Sequence, residues 1–158
     1  MQWFITSVAG KFLSTFVISM IPVIELRGGL PFGIAHGLNY PLALCAAVLG
    51  NMLPAPFIIL FIRKIFAVVR RWSGRFDRMV SRLEARGKKK SEIIAKYGPL
   101  GLVLLVAIPL PGTGCWTGAL VAALLDIRLR NALPAIFLGV LISAAIMTLA
   151  TFGVLGTF

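Results

Sequence analysis

The stretch Ile21-Pro22-Val23-Ile24-Glu25-Leu26-Arg27-Gly28-Gly29-Leu30-Pro31 constrains this chain most. It interrupts an apolar run with two prolines and two glycines, and it carries a carboxylate and a guanidinium where the surrounding sequence carries no charge. Ile108-Pro109-Leu110-Pro111-Gly112-Thr113-Gly114 breaks a second apolar run in the same way. Phe12 to Ile24, as a helix, would rise about 20 Å, short of the ~30 Å hydrocarbon core of a bilayer. Pro22 removes a backbone hydrogen bond, Gly28-Gly29 loosens the chain, and Leu30 to Leu38 supplies a second short helix. Leu100 to Leu125 divides similarly about its own tip. Two half-helices around a broken tip read as a re-entrant hairpin, which is tolerated at membrane depth only inside protein or beside water.

A membrane is the solvent that composition demands. Of 158 residues, 59% are hydrophobic and 13% charged, unlike a soluble domain. The fold class is all-α integral membrane. The net charge of +11 is not a nucleic-acid signature, because Arg63 to Lys96 holds twelve basic and three acidic residues, about +9 of it, with no stacking platform. That block reads as a cytoplasmic segment. Ile65, Phe66, Val69, Trp72, Phe76, Met79, Val80 and Leu83 follow helical spacing, so it either lies on an anionic leaflet or forms a solvated hairpin. Gly87-Lys88-Lys89-Lys90 reads as a loop, and Ser91 to Tyr97 as a short helix. Tyr40 to Ile62 and Ala132 to Phe152 are long enough to span; Pro54 and Pro56 predict a kink in the first. Residues 1–10 read as an interfacial piece anchored by Trp3 and closed by Lys11, retained rather than cleaved. Cys45 and Cys115 read as two buried thiols, with no disulfide, metal or cofactor implied.

The chain also repeats. Ile21-Pro22 and Ile108-Pro109 lie 87 residues apart, and each opens a broken hairpin, a polar turn (His36 to Asn39; Asp126 to Asn131) and a proline-started span. The expected organisation is one membrane domain: 1–62 as a first repeat, 63–97 as the basic amphipathic cytoplasmic segment, and 98–158 as a second, inverted repeat. If 98–125 is re-entrant, Arg128 and Arg130 return to the cytoplasm, as the positive-inside tendency prefers. Both termini then lie outside the inner membrane, and the two tips meet near the midplane.

Glu25 and Arg27 are the sharpest chemical signal. A charge near the bilayer centre costs about 2.5–3.5 kcal/mol on insertion scales. Glu25 can take up and release a proton, and Arg27 can clamp a phosphate or carboxylate; the alternative is a self-neutralising structural pair. Pro111, Gly112, Thr113 and Gly114 open the second half-helix, whose free N–H groups form an anion site or merely a tight turn. Gly28, Gly29 and Asn51 join the expected substrate and proton site. His36 and Trp116 form a second tier, as a relay and as packing beside the tip.

Glu25-Leu26-Arg27-Gly28-Gly29-Leu30-Pro31, Gly50-Asn51-Met52-Leu53-Pro54 and Pro111-Gly112-Thr113-Gly114-Cys115-Trp116-Thr117-Gly118-Ala119 resemble the small multidrug export proteins over nearly the whole chain. That family is similar in plan to the DedA and VTT-domain proteins. The resemblance implies paired re-entrant hairpins and movement of lipids such as polyprenyl-phosphate carriers, with Glu25 and Arg27 matching essential acidic and arginine positions. This chain departs from DedA proteins in having no charge between Pro111 and Gly118, where they usually carry an arginine.

The leading expectation is a proton-coupled transporter or translocase for an anionic amphipathic substrate, a polyprenyl phosphate or phospholipid. It would work among membrane lipids as a homodimer, without nucleic acid. Export of small cationic drugs and a non-transporting assembly role are the alternatives. An intramembrane enzyme is disfavoured, because five carboxylates and one histidine in the whole chain leave only Glu25 in the apolar interior.

Overall fold

Apolar sequence punctuated by proline dictates a helical chain with short helices. The computed structural model describes residues 7–72, 81, 85, 97–110 and 113–155. Their helices are α1 (Val8–Met20), α2 (Glu25–Ala35), α3 (Tyr40–Met52), α4 (Pro54–Trp72), α5 (Pro99–Ala107), α6 (Cys115–Leu124) and α7 (Leu129–Leu155). Two stretches, Tyr40–Ile62 and Leu129–Gly153, are long and apolar enough to cross a membrane. Of the expected basic segment 63–97, helix α4 covers the part up to Trp72; 73–80, 82–84 and 86–96 lie outside the described residues, as does Trp3.

Proline sets the breaks. A residue before proline is pushed out of the helical region, and Ile21 (φ −70°, ψ 129°) and Ile108 (φ −78°, ψ 116°), each before a proline, are extended and end α1 and α5. Three expectations are corrected here. The first break ends at Ile24, so Gly28 and Gly29 lie inside α2 rather than loosening the tip. Their purpose is close approach: a Cβ on Gly29 would sit 1.8 Å from Ser19 Oγ. Lys11 does not close an interfacial piece but lies within α1, which starts earlier because the Ser7 hydroxyl accepts the Gly10 N–H at 3.0 Å and caps it. Arg130 and Asn131, read as loop, belong to the first turn of α7.

The α3–α4 junction is a local break. Leu53 keeps helical dihedrals and donates to the Leu49 carbonyl at 3.1 Å. Cys45 corrects another expectation: it is exposed, on a stripe with Leu49 and Leu53 at four-residue spacing, whereas Cys115 is buried; both are free thiols. Apolar sequence alone could not separate a face towards the protein from one towards lipid.

The broadest packing pairs α1 with α3 and α5 with α7. Glycine allows backbone-to-backbone approach in both. A Cβ on Gly50 would lie 2.2 Å from the Phe16 carbonyl oxygen, and one on Gly139 would lie 2.9 Å from the Val103 carbonyl oxygen. Gly29 meets Ser19 as Gly118 meets Val106. The helix-two ends close alike: Leu38 N–H to Gly33 O and Ile127 N–H to Ala122 O, both 3.0 Å, with Gly37 (φ 75°) and Asp126 (φ 55°) in the left-handed region, as in a Schellman closure. Buried positions of α3 and the start of α4 recur in α7: Ala43 with Ala132, Ala46 with Ala135, Ala47 with Ile136, Asn51 with Val140, Ala55 with Ala144.

Gly50→Ala should therefore cost about 1–3 kcal/mol, because backbone cannot move aside as a side chain can. Gly153, with open space around it, is the control: Gly153→Ala should be close to neutral. Thermal unfolding of purified protein in detergent compares them, and equal melting temperatures for the two variants would contradict the packing account.

Candidate functional site

The site forms where the two breaks meet. Glu25 is 5% exposed. Its carboxylate Oε1 accepts the backbone N–H of Trp116 at 3.3 Å, and the Cys115 N–H lies beside the same carboxylate. These are the first N–H groups of α6, which have no partner within their own helix. Where an anion site was expected at the Pro111–Gly114 tip, the group on the helix end is the chain's own Glu25 carboxylate. A carboxylate so placed is stabilised by up to about 2 kcal/mol in partly buried geometries.

Gly114 makes room for that contact. A Cβ there would lie 2.0 Å from Glu25 Oε2, and Gly114 has φ 124°. Glu25 itself has φ 51°, a conformation that costs a non-glycine residue of order 1–2 kcal/mol. Glu25 and Gly114 occupy the same place in the two halves, immediately before Leu26 and Cys115. One half relieves the backbone with glycine; the other keeps a side chain and tolerates the strain.

Arg27, half-buried one turn into α2, reaches the opposite tip. Its guanidinium donates to the Leu110 carbonyl, to the Thr113 carbonyl at 2.8 Å and to Thr113 Oγ1 at 3.1 Å. Thr113 is the hub of that loop: its hydroxyl also lies 2.7 Å from the Ile108 and Leu110 carbonyls and accepts the Leu110 N–H at 3.2 Å. Trp116 closes the junction from the other side, its indole N–H donating to the Met20 carbonyl at 3.1 Å. That carbonyl is among the last of α1, again a group with no helical partner.

Of the expected site residues, Glu25, Arg27, Thr113, Gly114 and Trp116 thus come together. Trp116 is a bonding member rather than mere packing. Pro111 and Gly112 lie outside the described residues. Gly28 meets Ile24 within its own helix pair and Gly29 meets Ser19. Asn51 is buried in α3. His36 sits at the opposite end of α2, exposed, with Nδ1 2.8 Å from the Phe32 carbonyl and its ring stacked on Phe32; it does not join the tips. Sequence reasoning missed the main-chain oxygens of Met20, Ile108 and Leu110. Their only signal was the prolines that end each helix and leave carbonyls unpaired.

A helical membrane protein whose two broken helices exchange charged hydrogen bonds across a half-buried junction is the class that fold and site define. The chain belongs to the family described as "putative small multi-drug export protein", whose profile matches residues 25–146, from Glu25 through most of α7. No curated protein and no solved structure matches the chain. By its description the family is one of exporters.

The contact between Glu25 and Gly114 makes a sharp expectation. Gly114→Ala should lower stability by about 2–4 kcal/mol through steric overlap and a disallowed φ. In a Glu25→Gly background the carboxylate is gone, and the same change should cost less. Melting curves for the four proteins test this; an unchanged cost in the double variant would mean the carboxylate does not lie against Gly114.

Proposed function

We propose that this protein carries an anionic amphipathic substrate across the membrane in exchange with the Glu25 carboxylate, coupled to a proton. One observation carries the reading. Arg27 brings a full positive charge to the junction, and its hydrogen-bond partners are neutral carbonyl and hydroxyl oxygens. Glu25 spends its negative charge on the N-terminus of α6. The junction therefore offers a guanidinium and a positive helix end, with one internal carboxylate standing on the latter. A proton on Glu25 removes that charge and leaves the Cys115 and Trp116 N–H groups to an incoming phosphate or carboxylate, which Arg27 can hold in bidentate fashion. When the anion departs, Glu25 loses its proton and returns to the helix end. A polyprenyl phosphate or a phospholipid has the required chemistry.

The family description favours a second reading, export of small cationic drugs. In that case Glu25 would be the ligand and Arg27 a competitor for it. In a non-transporting assembly protein, Glu25→Gln would leave cellular function intact while the protein remained folded and abundant.

The architecture behind this reading is an inverted repeat of two re-entrant hairpins, each followed by a spanning helix. The paired glycine contacts, matching closures and recurring buried positions support it, and transporters of this plan hold their sites between broken helices at midplane. The first hairpin enters from outside and the second from the cytoplasm, with 63–97 cytoplasmic and both termini outside the inner membrane. Val23 is 89% exposed beside the first break and Leu110 56% exposed beside the second. Broken backbone there needs protein or water around it, which favours a homodimer with the tips towards its interface. Cysteine variants in a Cys45→Ala background, where the remaining native thiol, Cys115, is buried, test both statements: Arg128→Cys should label from the cytoplasmic side, and Val23→Cys should cross-link two copies. Labelling of position 128 from outside would refute the topology, and absence of any cross-link would refute the interface.

Transport is tested with labelled polyprenyl phosphate in proteoliposomes under an imposed pH gradient. Wild type should give gradient-dependent flux. Glu25→Gln and Arg27→Ala should each reduce it at least about tenfold, the scale of one lost charged hydrogen bond. Flux of a lipophilic cation without flux of the anion would establish the second reading instead.

A further inference from the structure

Away from the tips, the junction of α3 and α4 holds oxygen atoms whose ordinary hydrogen-bond donors are missing. Asn51 is 3% exposed, and its side-chain Oδ1 is buried with no hydrogen-bond partner among the described residues. An unsatisfied buried acceptor costs about 1–3 kcal/mol. Three residues on stands Pro54, and two further Pro56. Neither has an N–H, so the carbonyls of Gly50 and Met52 have no partner four residues later in the helix. One helical turn thus presents three acceptors whose ordinary donors are missing.

The other half of the chain makes this asymmetry informative. The slots corresponding to Asn51, Pro54 and Pro56 hold Val140, Ser143 and Ala145, and α7 runs through them without a break. Val140 is 1% exposed and belongs to the apolar core. An aliphatic residue and a regular helix therefore satisfy this packing position, and the first half has given both up. What replaces them is a set of neutral oxygens, the donor set that suits a hard monovalent cation; carbonyls of interrupted helices serve that purpose in membrane proteins.

We propose that the α3–α4 junction binds a monovalent alkali cation, with Asn51 Oδ1 as side-chain ligand and the freed Gly50 and Met52 carbonyls contributing main-chain oxygens. This site is separate from the Glu25–Arg27 junction, and binding there does not depend on which substrate that junction takes. If the protein is a transporter, the cation is placed to couple or to gate, because it would tie the end of α3 to α4, and α4 packs against α6.

The experiment is thermal unfolding of the purified full chain, titrated with sodium chloride against choline chloride at constant ionic strength. Wild type should gain melting temperature saturably with sodium. Asn51→Val, the residue that the second half uses, should melt at least as high as wild type in choline and should shift its sodium midpoint by at least about tenfold. Pro54→Ala keeps Asn51 but returns an N–H to the Gly50 carbonyl, and should also weaken the sodium response. A sodium response that is absent in wild type, or equal in wild type and both variants, overturns the proposal. So does an Asn51→Val protein that is less stable in choline, since Asn51 would then be a satisfied structural residue. Loss of sodium response with anion flux intact, or the reverse, separates this site from the transport reading.

Discussion

The contact between the Glu25 carboxylate and the N-terminus of α6 is the interaction on which the arrangement of the two halves depends. Each broken helix pair ends with groups it cannot satisfy itself: α1 leaves carbonyls, α6 leaves N–H groups, and the tip between Ile108 and Thr113 leaves carbonyls. In water these would be solvated. In an apolar surrounding each must find a partner in the other half. Glu25 takes the N–H groups, Trp116 takes the Met20 carbonyl, and Arg27 takes those of Leu110 and Thr113. Breaking the helices and joining the halves are one device.

That device is asymmetric where it matters. The two halves share glycine contacts, helix-end closures and buried positions. The departures from this likeness carry the chemistry. Glu25 stands at positive φ where the other half has Gly114, and Arg27 stands where it has Trp116. Asn51 stands where it has Val140, followed by two prolines that the second half lacks. Comparing these matched positions identifies functional candidates: a residue that is strained or unsatisfied where its counterpart is relaxed is kept for some other reason.

Much of the site was legible because charge in an apolar run has few explanations. Glu25 and Arg27 declared themselves, as did the tip at Thr113 and Gly114, and the 87-residue spacing of the Ile-Pro pairs located the breaks. The assignment of partners was not legible. Two residues apart in sequence, Glu25 and Arg27 suggested a pair with one another; the hydrogen bonds of each go to the other half. Gly28-Gly29 suggested a loose turn, but a Gly-Gly sequence does not say whether its missing side chains serve conformation or contact, and only Ser19 against Gly29 decides for contact. Cys45 read as buried because α3 is apolar on every side, and the face turned to neighbouring helices follows from packing alone.

The sequence by itself determined the helical class, the two stretches long and apolar enough to span, the proline-set breaks and the presence of two charges in an apolar run, because these follow from hydropathy, from the geometry of proline and from the cost of charge in an apolar medium. Tertiary structure alone decided that the anion on the second helix end is Glu25, that Arg27 is held by neutral oxygens, and that Asn51 is left without a donor. Those are statements about which unsatisfied group meets which, and partners some ninety residues apart in the chain are brought together only by the packing of one half against the other.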